Sequence, residues 1–290
     1  MMTTTDLALR RAVDAAQQLS NPEPPWTDVL EGVRQVIGGD SASFIMFDGT
    51  GALLTLEQIN VDPLAELEYA CHYHAHDIVT PATIGAGEGA WLDTQELFSP
   101  STLSHNGYYV DFMCRHRMRQ MLTYIVEENP RRRGGVTVQR SNPRDHARWQ
   151  FESQPVRTLA STLQDALAQR RKIAYQWFAS AESAFDAFDE AICMVNNNGA
   201  VLRMSPKAES WLGEDAALRL RRGRLWHPLE AFRTRLLEAL DRVVLNGRPE
   251  RLAVPGHRKL DGMLLDLACA DAHLRFGRET SVLVRMLRLA

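Results

Sequence analysis

The densest group of ionisable side chains is the run CHYHAHD, which sets His72, His74, His76 and Asp77 close together. Imidazole nitrogens suit zinc, iron or copper. Ligands on one helix face need a spacing of three or four residues, and His72 and His76 meet it with Asp77 adjacent. No third ligand stands at a known spacing, so the run reads as a helix end with one hydrogen-bonded histidine. No metal and no cofactor are expected. An enzyme built on His72 and His76 is the reading the spacing favours least.

Other reactive patterns are missing. No GxSxG nucleophile elbow, HExxH, P-loop or GxGxxG between a strand and a helix occurs, and the chain is expected not to be an enzyme. GAGEG, from Gly85 to Gly89, neither follows a recognisable strand nor opens a helix, so it reads as a mobile loop. Three arginines, Arg131 to Arg133, could touch phosphate. At the tip of a hairpin they read first as a solvated turn.

The aromatic and methionine residues of the first half carry a stronger suggestion. Small-molecule pockets are mostly apolar with a few orienting polar groups, and tyrosine offers both. The candidate lining residues are Phe44, Met46, Tyr73, Trp91, Tyr108, Tyr109, Phe112, Met121 and Tyr124. Taken singly, most of them read as the hydrophobic core of a sheet-and-helix domain; as a set they suggest a pocket for a small organic ligand. In the second half, Met194, Met204, Trp211 and Phe232 read as core packing.

The elements that would position these groups follow from apolar periodicity. Helices are predicted over Asp6–Leu19 and Trp26–Ile37, the second closed by Gly38-Gly39. SASFIMF and LLTLEQI form a hairpin across Asp48-Gly49-Thr50-Gly51. A helix runs from Pro63 to about His74 with Asp62 as its N-cap, and a loop-rich stretch follows from Asp77 to Gly107. NGYYVDFMCRHRM is helical in its middle, and RQMLTYIVEE and GGVTVQR are strands. Asn142-Pro143 opens a helix that Pro155 kinks into a long, uninterrupted one over Pro155–Phe188, about 50 Å at the helical rise. A helix that long reads as a connector or coiled coil. Its stripe Leu159, Leu163, Ala166, Ile173 and Trp177 is the candidate dimerisation seam. Beyond it come AICMV and AVLRM around an Asn-Gly turn, a short helix KAESWL, and the alternating LRLRRGRLW. An amphipathic helix over His227–Asn246 and three strands follow. The pattern is α+β, with two antiparallel-sheet domains joined by a long helix: residues 1–154, a linker 155–188, and 189–290.

Bulk composition is that of an ordinary globular chain, 45% hydrophobic and 24% charged with a net charge of −3. That balance singles out neither nucleic acid nor membrane as a partner. Four scattered cysteines suggest reduced thiols in a cytoplasmic setting. There is no secretory signal pattern and no apolar run long enough to span a bilayer.

Several segments together resemble the sensory region of bacterial LuxR-type helix-turn-helix regulators. They are VIGGDSASFIMFD, HAHDIVTP, YYVDFMCRHRMRQMLTYIV, GGVTVQRS with QPVRTLASTLQDAL, and AICMVNNNGAVLRMSPKAESWL with LRLRRGRLW. The resemblance implies a GAF-like or PAS-like first domain, a helical linker and a PAS-like second domain. It further implies a homodimer that binds a small organic ligand in the first domain and regulates transcription. DNA would be reached only through a helix-turn-helix domain, which this chain does not carry. The alternative from a different class is a ligand-free dimerisation or protein-interaction scaffold.

Overall fold

The structure is a computed structural model that describes residues 4–145, 147–213, 216–256, 262–274 and 281–288. The chain divides into two units. The first comprises residues 1–46, 55–129 and 133–169, the second 47–54, 130–132 and 170–290.

In the first unit, helices α1 (Thr4–Gln17) and α2 (Trp26–Ile37) lead into strands β1 (Ser41–Asp48) and β2 (Leu53–Ile59). Gly38 ends α2 in a left-handed conformation, as the sequence predicts. Within the helix, Gly32 allows close approach to α1, because a Cβ there would stand 2.5 Å from that of Ala12. Helix α3 (Pro63–Cys71) starts on Asp62, whose carboxylate accepts from the Leu64 N–H at 2.9 Å. It stops short of the predicted His74 because His72 leaves helical geometry at φ −138°.

The stretch predicted as loop-rich is more ordered than its glycines suggest. It holds α4 (Val79–Ala82), strand β3 (Trp91–Asp93), α5 (Thr94–Leu97) and α6 (Pro100–His105). These elements are too short for periodicity to register, and side-chain caps start three of them: Asp77, Asp93 and Ser99 each accept from backbone N–H groups. GAGEG is anchored, since the N–H groups of Gly85 and Gly87 donate to the Glu128 carboxylate at 2.5 and 2.7 Å.

A π-helical turn, Tyr108–Met113, precedes β4 (Gln120–Asn129) and β5 (Arg132–Arg140). The five strands order as β2-β1-β5-β4-β3. Then come α7 (Ala147–Phe151) and the long α8 (Gln154–Asp186). Pro155 lies in the first turn of α8, where its missing donor costs nothing, so it starts the helix and does not kink it.

The second unit forms an antiparallel sheet from β6 (Ala191–Val195), β7 (Val201–Met204), β10 (Glu250–Val254), β11 (Met263–Cys269) and β12 (Val282–Arg288). Its order is β10-β11-β12-β6-β7. Helix α9 (Pro206–Trp211), the hairpin β8 (Arg219–Arg221) and β9 (Arg224–Trp226), and helix α10 (Glu230–Asn246) lie between β7 and β10 in the chain. One sheet face, with Cys193, Leu265 and Val284, forms a core with Phe232, Leu236 and Leu240 of α10 and Trp211 of α9. Ile192 and Met194 on the other face cluster with Ala174 and Phe178 of α8. Met194, Trp211 and Phe232 are buried, and Met204 packs against the first of these cores.

Helix α8 is therefore no free-standing rod. Leu159, Leu163 and Ala166 are 2%, 1% and 8% exposed. Of the five predicted seam residues, these three are buried within the chain itself, Ile173 is half-buried and Trp177 exposed. Among the described residues, no helix is long and apolar enough to cross a membrane.

Candidate ligand-binding site

Alternation along the strands gives the first sheet two chemically different faces. One face meets helices. Phe44 stacks on Trp26 of α2 with ring centroids 3.8 Å apart and planes 8° from parallel. Tyr124 donates its hydroxyl to the Ala160 carbonyl of α8 at 3.2 Å, and burial, aided by the charges of Asp165 and Glu88, pushes its pKa up to about 12. Trp91, opposite Tyr124 in the ladder, stacks on Phe151 at 4.7 Å. Phe44, Met46 and Leu122 are fully buried.

The opposite face carries a buried polar strip. Ser41 Oγ donates to Gln139 Oε1 at 2.9 Å, and Gln139 Nε2 donates to Ser43 Oγ at 2.7 Å. Thr123 and Thr137 share a hydrogen bond at 3.0 Å. Beside this strip, Ile45 and Met121 pack into an aromatic cluster contributed by α3, the turn after it and the π-helical turn. Phe112 lies at its centre: Tyr73 stacks on it at 4.6 Å, Tyr108 at 5.3 Å, and Tyr69 tilts against it at 6.0 Å. Tyr109 packs at the margin and ties down with its hydroxyl to the Arg119 carbonyl at 3.0 Å.

Asp77 holds this cover in place. Its carboxylate accepts from Tyr69 Oη at 2.9 Å, Thr80 Oγ1 at 2.6 Å, and the N–H groups of Val79 and Thr80 at 2.7 and 3.2 Å. The aspartate therefore caps α4 and fixes the Tyr69 ring at once. Tyr108, 4% exposed, donates no hydrogen bond among the described residues. Burial and the nearby Asp77 carboxylate raise the pKa of both Tyr69 and Tyr108 well above the ordinary phenol range. Both hydroxyls stay protonated, that of Tyr69 donating to Asp77. The turn that presents Tyr108 and Phe112 is π-helical, a rare form frequently met at functional sites.

The structure thus separates the nine predicted lining residues. Tyr73, Tyr108, Tyr109, Phe112 and Met121 come together on the polar-strip face, whereas Phe44, Met46, Trp91 and Tyr124 lie on the helix-covered face. Strand parity explains the split, because Met121 and Tyr124 are an odd number of residues apart. Ser41, Ser43, Tyr69, Thr123, Thr137 and Gln139 were not predicted. Small polar residues alternating with Ala42 and Phe44 on β1 were the available signal. His72 and His76 are exposed with rings 4.8 Å apart, and among the described residues no three His, Cys, Asp or Glu side chains are grouped to hold a metal.

No protein-family model matches the chain, and no curated protein sequence matches it. Solved structures similar to it include CepR2 of Burkholderia cenocepacia, an N-acylhomoserine lactone dependent LuxR-family transcription factor. The match has 12% identity and a TM-score of 0.43, over 59% of this chain and 99% of that one. The LBD domain of VqsR from Pseudomonas aeruginosa matches at 14% identity and a TM-score of 0.43, over 57% and 95%. A phycoerythrobilin-bound GAF domain of a cyanobacterial phytochrome matches at 13% and 0.35, over 58% and 97%. Likeness this distant assigns the chain neither a family nor a ligand.

Proposed function

We propose that this chain is the sensory region of a cytoplasmic transcriptional regulator. Its first unit takes a small organic ligand between the polar strip of the sheet and the Tyr69, Tyr73, Tyr108 and Phe112 cover. The observation that carries the reading is the pairing of a buried, uncharged hydrogen-bonding floor with a dense aromatic cover that includes an uncommitted tyrosine hydroxyl. Uniform core packing has no use for five buried polar side chains beside such a cover, since each must be satisfied at a cost. The floor offers hydroxyls and one amide, and Asp77 is already saturated by four donors. A neutral ligand with a mostly apolar body and a few acceptors or donors fits that chemistry.

A ligand can act only through unequal affinity for two arrangements of the protein. Helix α8 is the proposed carrier, because its first half belongs to the first unit and its second half to the second. Assembly as a homodimer would use the exposed Tyr175 and Trp177 on that second half, not the buried leucines. DNA would be reached through a helix-turn-helix domain outside this chain.

A thermal-shift screen of metabolites against the whole chain tests the reading. A ligand present at a hundred times its Kd adds about 2.7 kcal/mol. For a unit of this size that raises Tm by about 5–10 °C. Failure of every class of neutral organic molecule to stabilise the protein would favour the scaffold alternative.

A further inference from the structure

The second unit carries a separate feature that the sensory reading leaves unused. Hairpin β8–β9 turns on Arg222 at φ 50° and Gly223 at φ 76°, the two left-handed residues of a type I′ turn. Asparagine or glycine ordinarily fills the first of these positions, and an arginine there is uphill. This turn borders an open groove of about 600 Å³ lined by Arg221, Arg222, Arg224, Trp226, Arg233 and Leu236, among others. That volume lies within the range of small-molecule sites.

The four lining arginines form no ion pair with a carboxylate among the described residues. Elsewhere on the same unit arginines do find carboxylates: Arg242 meets Glu250 at 2.6 Å, Arg251 meets Asp266 at 2.5 Å, and Arg285 meets Glu190 at 3.0 Å. Trp226 gathers cations further. The guanidinium carbons of Arg219, Arg221 and Arg233 lie 4.4, 5.1 and 5.6 Å from its ring centroid. The ring attracts each cation, yet crowding like charges around one ring raises the energy of the empty groove. Asn198, which borders the same groove, has its Oδ1 buried without a hydrogen-bond partner.

We propose that this groove binds a phosphorylated small molecule of nucleotide size. A phosphate monoester brings a charge of about −1.5 to −2 and three acceptor oxygens, which matches several forked guanidiniums. A monocarboxylate brings only one charge. Trp226 and Leu236 supply an apolar wall for the organic part, and a ligand hydroxyl or amine could satisfy Asn198. The inference does not depend on the ligand reading of the first unit, which involves none of these residues.

Isothermal titration of the whole chain with pyrophosphate, AMP and ATP at about 50 mM salt tests it, with adenosine and a short DNA duplex as comparators. The expected result is binding of the phosphorylated compounds and none of adenosine. Arg221→Ala combined with Arg222→Asn should weaken that binding about tenfold or more. Arg222→Asn alone should weaken it while leaving the Tm of the free protein unchanged or higher, because asparagine suits the turn. Four outcomes would overturn the proposal: no binding of any phosphorylated compound at millimolar concentration; equal binding of adenosine; affinity unchanged in the variants; or binding of the duplex alone. A loss of metabolite binding in the first unit with this titration intact would affect only the sensory reading.

Discussion

Tyr108 and Tyr124 have similar burial and opposite situations. Tyr124 spends its hydroxyl on the Ala160 carbonyl, whereas the hydroxyl of Tyr108 has no protein acceptor among the described residues. Losing an ordinary hydrogen bond costs about 0.5–1.5 kcal/mol, so Tyr124→Phe should lower stability by that amount as read in urea unfolding. Tyr108→Phe should leave stability in urea unchanged. Asp40 offers a second test at this scale. Its carboxylate accepts from the N–H and hydroxyl of Ser141 at 2.6 and 2.7 Å, and the backbone bond, followed by the hydroxyl, lowers its pKa. A carboxyl whose folded pKa lies below its unfolded value stabilises the fold fully above the unfolded pKa, near 4. That stability is lost as pH falls through the folded pKa. Asp40→Asn should therefore flatten the acid limb of the stability curve and leave its slope near pH 7 unaltered, as followed by urea midpoints from pH 7 to 3. Asp40 also lies next to the Ser41–Gln139 bond, so the acid limb reports on the end of the polar strip.

Among the elements, α8 shows what periodicity can and cannot say. Its length and continuity were legible because Ala, Leu, Gln and Arg run without a breaker after Pro155. Which molecule its apolar stripe packs against was not, since a stripe has the same spacing whether it meets its own domain or a second copy. The fold puts Leu163 inside, so Leu163→Asp should unfold the first unit, with a loss of several kcal/mol from burying an unpaired charge, detected by far-UV circular dichroism. Trp177→Asp should leave the fold intact and shift any dimer to monomer in analytical ultracentrifugation. The hairpin predicted at Asp48–Gly51 forms, but its left-handed residue is Gly51, with the Asp48 carboxylate accepting from the N–H groups of Thr50 and Ala52. The short caps at Asp77, Asp93 and Ser99 escaped because elements of a few residues leave no period to detect. Residue type alone gathered nine aromatic and methionine positions; parity, which decides the face, would have divided the five that lie on strands.

For the whole molecule, the α+β class and the two antiparallel-sheet halves were readable from strand and turn signals. Which face would take a ligand cannot be read that way, because it depends on which side of the sheet the helices cover. Here the chain spends its large aliphatic residues and Phe44 on one face, and small polar side chains beside an aromatic cluster on the other. The two proposals differ in chemistry, the first resting on a neutral, aromatic cluster and the second on arginines that form no ion pair with a carboxylate among the described residues. Helix α8 contributes residues to both units.

The most direct test of the sensing proposal is the Kd of a stabilising organic ligand for the wild type and two single variants, Tyr108→Phe and Tyr124→Phe. The account predicts about a three- to tenfold weaker Kd for Tyr108→Phe, the value of one hydrogen bond, and no change for Tyr124→Phe. Loss of affinity in Tyr124→Phe with Tyr108→Phe unaffected would place the ligand on the helix-covered face and contradict it.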